Sequence, residues 1–109
     1  MTDIVCALVT ASSTEEGRAV ARALLEARLA ACVNIIPGVE SHYWWEGALE
    51  KSTEHQLVIK TRAALMPAVI ACVQQHHSYK VPEVIALPVV EGNPDYLAWA
   101  RAETANTNT

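Results

Sequence analysis

Residues 32–61 read CVNIIPGVESHYWWEGALEKSTEHQLVIKT and hold two β-forming segments on either side of a short turn. The first segment contains Pro37-Gly38, and because proline cannot donate to a ladder, we predict a strand that is bent or bulged there. Glu46-Gly47 and Ala48 supply the turn, and Leu49 to Thr61 alternates as a half-covered antiparallel strand does. The stretch therefore predicts a β-hairpin of unusual length.

The outer part of this hairpin is aromatic. An isolated two-stranded ribbon is marginally stable in water, so Tyr43, Trp44 and Trp45 are expected to contact another subunit. A platform on which a ligand stacks is the alternative interpretation. The charged residues of the returning strand are interpreted as a solvated face: Glu50, Lys51 and Glu54, with Lys60 and Arg62.

The flanking segments alternate between strand and helix. Ile4 to Val9 is a β-branched run, and residues 14–30 have helical periodicity behind a capping-box spacing of Ser13 and Glu16. After the hairpin, a helix is predicted from about Leu65, with Pro67 in its first turn, to His76-His77-Ser78. A strand over 84–90 follows, with Pro88 inside it, and then a short helix that begins at Asn93-Pro94-Asp95. The chain is predicted to fray from Thr104 to Thr109.

The order of these elements is strand, helix, strand, strand, helix, strand, helix. Its first six elements form the split βαβ pattern of the ferredoxin-like folds, in which two helices cover one face of a four-stranded antiparallel sheet. The sequence therefore predicts an α+β, ferredoxin-like βαββαβ domain over residues 1–109, with a long hairpin between its second and third strands and a short C-terminal helix.

Composition narrows the functional class. The 109 residues carry 8 Lys plus Arg against 12 Asp plus Glu, a formal net charge of −4, which disfavours a nucleic-acid or anionic-membrane surface. Three cysteines cannot all pair and none has C-x-x-C spacing, so a reducing, cytoplasmic compartment is expected. The first apolar run is too short for a signal peptide or a membrane span.

Several segments in fixed order point to one family. They are AACVNIIPGV at 30–39, YWWEG at 43–47, IKT at 59–61, HHSYKVPE at 76–83, LPV at 87–89 and YLAW at 96–99. Together they resemble the CutA divalent-cation-tolerance family. The resemblance implies a homotrimer joined through the long hairpin, similar to the trimeric PII signal proteins. It also implies a cytoplasmic, non-enzymatic role linked to copper and other divalent ions, either in metal tolerance or as a signalling scaffold with an unidentified protein partner.

The resemblance also implies a metal site. His76 and His77 match the family's His-His-x-Tyr segment, whereas the Cys that copper-binding members use near the end of the first strand aligns with Val9. Cys6 lies three residues away, so it faces the other side of the strand. Two imidazoles without a thiolate disfavour tight Cu(I) binding and suit Cu(II), Ni(II) or Zn(II). The alternative interpretation is that the two histidines only favour the dipole at a helix C-terminus.

Two other functions stay open. One is a PII-like module that binds a small effector in clefts between subunits, where Glu83 and Lys60 could line the cleft; otherwise Glu83 is a surface acid at a strand entrance. The other is a small hydrolase that pairs Cys6 or Cys72 with His76, although no orienting acid or oxyanion-binding loop accompanies them.

Overall fold

The computed structural model describes residues 2–105. Its elements are β1 (Ile4–Ala11), α1 (Thr14–Glu26), β2 (Cys32–Trp45), β3 (Ala48–Arg62), α2 (Met66–His76), β4 (Ile85–Pro88) and α3 (Pro94–Glu103), with a 3-10 turn at Ala63–Leu65. The strands pair antiparallel in the order β2-β3-β1-β4. The element order and this sheet confirm the predicted α+β ferredoxin-like fold with its long hairpin and C-terminal helix.

The core lies between the sheet and the helices α1 and α2. Alternate residues of β1 and β3 face the helices, and Val9, Leu57 and Ile59 are fully buried there. Val20 and Leu24 of α1, and Val69 and Val73 of α2, complete this cluster. Because both central strands contribute every second residue, the helix-covered face of the sheet holds most of the protein's apolar burial.

The opposite face of the sheet is only partly covered. Tyr96 of α3 lies beside Cys32 and Cys6 on this face. Further apolar side chains on it are about half exposed: Ile36, Ile85 and Leu87. We call this surface, from β2 across to β4, the open face.

The hairpin has the predicted irregularity. The β2–β3 register shifts between Ile36 and Val39, and Gly38 adopts a φ of +73°, which glycine tolerates without strain. At the tip, Trp45 already pairs with Ala48, so the turn consists of two residues rather than the predicted three. Both turn residues have positive φ, as tight hairpin turns of this length require: Glu46 at +49° and Gly47 at +82°.

Two elements end earlier than predicted. The helix expected over 14–30 stops at Glu26, because Arg28 turns left-handed with a φ of +60° and directs Leu29 and Ala30 into the core. Leu29 and Ala30 therefore extend the apolar spacing of the helix in the sequence, although they are not part of the helix in the structure. The strand expected over 84–90 spans only Ile85–Pro88, although the amide of Val89 still donates to the carbonyl of Ile4 at 3.1 Å just beyond it.

The expected fraying after α3 is wrong at its start. Thr104 is buried, its hydroxyl donates to the carbonyl of Ala100 at 3.1 Å, and it accepts from Arg62 Nε at 2.9 Å. The amide of Ala105 donates to the carbonyl of Arg28. The remainder of that prediction, residues 106–109, lies outside the described residues.

No helix within residues 2–105 combines the length and the apolar character needed to cross a membrane.

Candidate functional site

The side chain of His77, directly after α2, is fully enclosed by protein. Its Nε2 lies 2.6 Å from the carbonyl oxygen of Thr10, and because that oxygen only accepts, Nε2 donates. Its Nδ1 lies 3.0 Å from the amide of Tyr79 and 2.9 Å from Glu16 Oε1. Both ring nitrogens therefore have protein partners, and the ring holds the end of β1, the start of α1 and the loop after α2 together.

Glu16 takes part in the same contacts. The hydroxyl of Ser13 caps α1 by accepting from the Glu16 amide at 3.1 Å, as predicted. The carboxylate does not complete the predicted capping box, because it accepts instead from Ser12 and from the amide of Ser78 at 2.8 Å. Burial alone would raise the pKa of Glu16, but the hydrogen bonds from Ser12 and Ser78 hold it below the usual value.

His76 has a different environment from its neighbour. It lies exposed at the end of α2, and its Nδ1 is 2.9 Å from the carbonyl oxygen of Cys72, to which it must donate. This hydrogen bond leaves Nε2 as the bare nitrogen with a lone pair, the form in which a histidine binds metal. The structure therefore gives the two predicted ligands different partners: His76 presents a nitrogen, and His77 uses both of its own internally.

The cysteines offer little support to either nucleophilic or thiolate chemistry. Cys72 Sγ lies 3.9 Å from His76 Nδ1, but burial raises the pKa of this thiol and favours its protonated form. Val9 is fully buried on the helix-covered face, while Cys6 pairs across from Lys60 on the open face, as the spacing predicted. Among residues 2–105, no group of three or more His, Cys, Asp or Glu side chains is arranged to hold a metal ion.

A cleft of about 630 Å³ opens beside the hairpin, beneath the loop that follows α2. This volume falls within the range of about 300 to 1,000 Å³ that is typical of small-molecule sites. One part of the lining is charged and the other is aromatic. The lining includes four side chains that can carry charge, Glu54, Glu83, Lys80 and His42, and three tyrosine or tryptophan rings, Tyr43, Trp45 and Tyr79.

Glu54 is the least expected residue of this cleft. Its interpretation as part of a solvated strand face is wrong, because only 6% of the residue is exposed. The hydroxyl of Tyr79 donates to Glu54 Oε2 at 2.8 Å. Burial and this contact raise the pKa of Tyr79 to about 12. Burial, with the nearby charge of Glu54, also raises the pKa of Glu83.

The other predicted cleft and hairpin residues divide between two places. Glu83 lines the cleft, whereas the Lys60 ammonium contacts the Asn34 side chain on β2 and is not part of the lining. Tyr43 and Trp45 line the cleft as well. Trp44 lies between them in sequence but does not line the cleft, because neighbouring residues of a strand face opposite sides. Its side chain is 71% exposed.

Sequence reasoning missed the contact between Glu54 and Tyr79. Tyr79 lies in the segment HHSYKVPE, three residues after His76. In the sequence this spacing indicates only the predicted metal motif, and not a contact with β3. Nothing in the alternation of β3 distinguishes Glu54 from the exposed Glu50, since the loop that buries it is 25 residues further along the chain.

The comparisons with known proteins agree on one family. The family model for the CutA1 divalent ion tolerance protein matches residues 5–103. A rice relative, protein CutA 1, chloroplastic, is 48% identical over 96 residues, which are 88% of this chain and 54% of that protein. The chain thus spans about half the length of this curated relative. The divalent-cation tolerance protein CutA of Thermus thermophilus is 46% identical over 97 residues, 89% of this chain and 94% of that protein.

Solved structures of CutA1 proteins superpose closely on this chain. The divalent cation tolerance protein CutA1 of Thermus thermophilus superposes with a TM-score of 0.92 at 44% identity, over 94% of this chain and 99% of that chain. CutA1 from Oryza sativa superposes with a TM-score of 0.93 at 44% identity, over 95% of both chains. Sequence and structure match over nearly the same residues, and the chain therefore belongs to the CutA1 divalent ion tolerance family.

Proposed function

We propose that this protein acts in divalent-cation tolerance as a non-enzymatic homotrimer in the cytoplasm, and that it binds Cu(II) weakly through His76. Membership of the family supports the part concerned with cations, since several relatives carry the name divalent-cation tolerance protein. The observation that carries the metal assignment is the exposed His76 ring, whose Nδ1 donates to the Cys72 carbonyl and leaves Nε2 bare.

The affinity follows from the donors available. One imidazole per chain, without a thiolate at Val9, makes a weak site that suits Cu(II) better than Cu(I). Three copies of His76 in a trimer would supply further nitrogen donors if the symmetry axis brings them together. His77 acts here by fixing the loop against β1 and α1, so its role toward the metal is that of a positioning residue.

The remaining parts of the proposal have separate support. The half-exposed apolar side chains of the open face and the aromatic outer hairpin support assembly, because such surface is stabilised by a partner. Burial raises the pKa of Cys72, which argues against a hydrolase that uses this thiol as its nucleophile, since a cysteine nucleophile acts as the thiolate. Three unpaired thiols support a reducing compartment.

Isothermal titration with Cu(II) tests the metal assignment. We expect His76→Ala to weaken binding at least tenfold while the fold persists, because the ring lies at an exposed helix end. His42→Ala is the matched control, an exposed histidine whose Nε2 lies 2.6 Å from Glu40 Oε2. Binding should also weaken toward acidic pH, since only neutral imidazole coordinates. Loss of binding in the His42 variant but not in the His76 variant would contradict the assignment.

The cleft favours a second candidate function, a PII-like module that binds a small effector. Its volume, its aromatic wall and a carboxylate that is almost fully buried are features of ligand sites. His76 does not line the cleft, so His76→Ala leaves the cleft lining intact, whereas the control residue His42 belongs to that lining.

A further inference from the structure

The carboxylate of Glu54 forms no ion pair with a Lys, Arg or His side chain within residues 2–105. A carboxylate that is largely removed from water is stabilised by a cation or by several hydrogen-bond donors. Oε2 receives one hydrogen bond, from the neutral hydroxyl of Tyr79. Oε1 has no hydrogen-bond partner within residues 2–105, and it is not closed off by protein atoms, so a bound group could reach it from the cleft.

The surroundings of Glu54 add to this demand for positive charge. Glu83 lines the same cleft, and the pKa of its carboxyl is raised by burial and by the charge of Glu54. Two carboxylates thus face one partly desolvated space. Two side chains that can carry positive charge also line the cleft, Lys80 and His42, but neither pairs with Glu54 in the described part of the chain. Lys80 is exposed, and His42 Nε2 lies 2.6 Å from Glu40 Oε2.

The wall of the cleft indicates what kind of cation fits. Tyr43 and Trp45 place two aromatic side chains in the lining. Aromatic faces attract ammonium groups and also pack against carbon chains. A bare divalent ion is not coordinated by aromatic side chains. The hard divalent cations prefer six or more oxygen ligands in a compact shell. A volume of about 630 Å³ is far larger than such a shell needs.

We propose that the cleft binds a small organic ammonium compound, with its charged nitrogen at Glu54 Oε1 and its carbon chain against Tyr43 and Trp45. The inference rests on the second candidate function, to which it adds the charge and chemical class of the effector. Glu54 supplies the countercharge, Tyr79 orients the carboxylate through Oε2, and Glu83 adds negative potential at the same site.

Titration with matched probes tests the proposal. Butylammonium chloride and 1-butanol have carbon chains of the same length and differ in charge, and EDTA throughout keeps metal out of the measurement. We expect butylammonium to bind saturably by calorimetry and to change the tryptophan fluorescence, whereas butanol does neither at equal concentration. Because both probes are applied to the unmodified protein, this comparison does not depend on any variant folding.

Two variants locate the binding. Glu54→Gln keeps the acceptor for Tyr79 and removes the charge, so we expect at least tenfold weaker butylammonium binding without a loss of thermal stability in the free protein. Glu50→Gln makes the same change four residues away on β3, outside the cleft lining, and should leave binding within twofold of the unmodified protein. Together these results would support the assignment of Glu54.

Other outcomes overturn the proposal in distinguishable ways. Equal binding of butanol would leave a small-molecule cleft, and with it the second candidate function, but would remove the ammonium assignment. No binding of either probe, together with dissociation of the assembly in Glu54→Gln, would show that a cationic side chain of a neighbouring copy occupies the cleft. Binding of Mn²⁺ in the absence of EDTA, lost in Glu54→Gln while butylammonium fails to bind, would make the cleft a metal site.

Discussion

The inner and outer halves of the hairpin share one ladder but have opposite environments. In the inner half, Leu57 and Ile59 of β3 are fully buried under α1 and α2. In the outer half, Trp44 is 71% exposed and Trp45 is 57% exposed, although the same two strands remain paired out to the turn. Backbone pairing therefore continues well beyond the region in which the chain buries apolar surface by itself.

The boundary between the halves is the register shift at Ile36 and Val39. A bulge bends a strand and increases its twist, so the outer half leaves the plane of the sheet at this point. The inner half is stabilised by the helices of its own chain, whereas the outer half has the composition of a contact with another subunit. Two substitutions test this contrast, and a third gives the effect of a change outside the hairpin.

The largest effect is expected for Leu57→Ala in the inner half. Truncating a fully buried leucine removes apolar burial and leaves a cavity, which should lower the free energy of unfolding by about 3 to 5 kcal/mol. Urea denaturation followed by circular dichroism measures the change. The control is Leu25→Ala, a substitution of the same type at a half-exposed site on α1, with an expected cost of at most about 1 kcal/mol. Equal losses in both variants would show that the inner half is not the centre of the core.

A smaller effect, of a different kind, is expected for Trp45→Ala in the outer half. This ring lines the cleft and is 57% exposed, so a neighbouring subunit that completes the cleft would contact it. Its removal should then cost about 3 kcal/mol per subunit and shift the trimer toward dissociation. Light scattering at micromolar concentration should give three times the mass of one chain before the change and lighter species after it. An unchanged trimer with an unchanged melting temperature would show that the outer half is stable without partners.

The smallest effect is expected for Ser13→Ala, which lies outside the hairpin. Its hydroxyl accepts from the Glu16 amide, and losing this cap should cost about 1 kcal/mol without changing the mass of the assembly or Cu(II) binding. Thermal melting and light scattering together give the stability and the mass, and titration with Cu(II) gives the binding. Loss of metal binding at unchanged stability would instead move the functional site to the turn between β1 and α1.

Local signals allowed much of this fold to be predicted. The Ser13 cap, the bulge at Pro37-Gly38 and the proline in the first turn of α2 each depend on residues next to one another in sequence. The end of α1 was misplaced because Leu29 and Ala30 continue the apolar pattern of the helix although they reach the core from a turn. The spacing of apolar residues indicates which side chains are buried. A side chain after the end of a helix can be buried too, so this spacing does not locate the end of the helix.

The candidate site was less predictable because its contacts are long-range. Glu16 accepts from Ser78, 62 residues further along, and this contact replaces the capping-box partner that the local spacing suggested. Glu54 is buried by Tyr79 in the same way. The sequence predicts the adjacent pair His76 and His77 as metal ligands, but only the fold shows that one ring faces inward and the other outward.

The position of β2 in the sheet has a consequence for how the protein reaches its assembled state. With the order β2-β3-β1-β4, this 14-residue strand is an edge, and its outer end carries three exposed aromatic side chains, Tyr43, Trp44 and Trp45. Exposed edges of this kind template aggregation between chains. We therefore expect the yield of refolded protein after dilution from denaturant to depend on protein concentration. In dilute solution, assembly competes with slow misfolding. At high protein concentration, strand pairing between chains produces insoluble material.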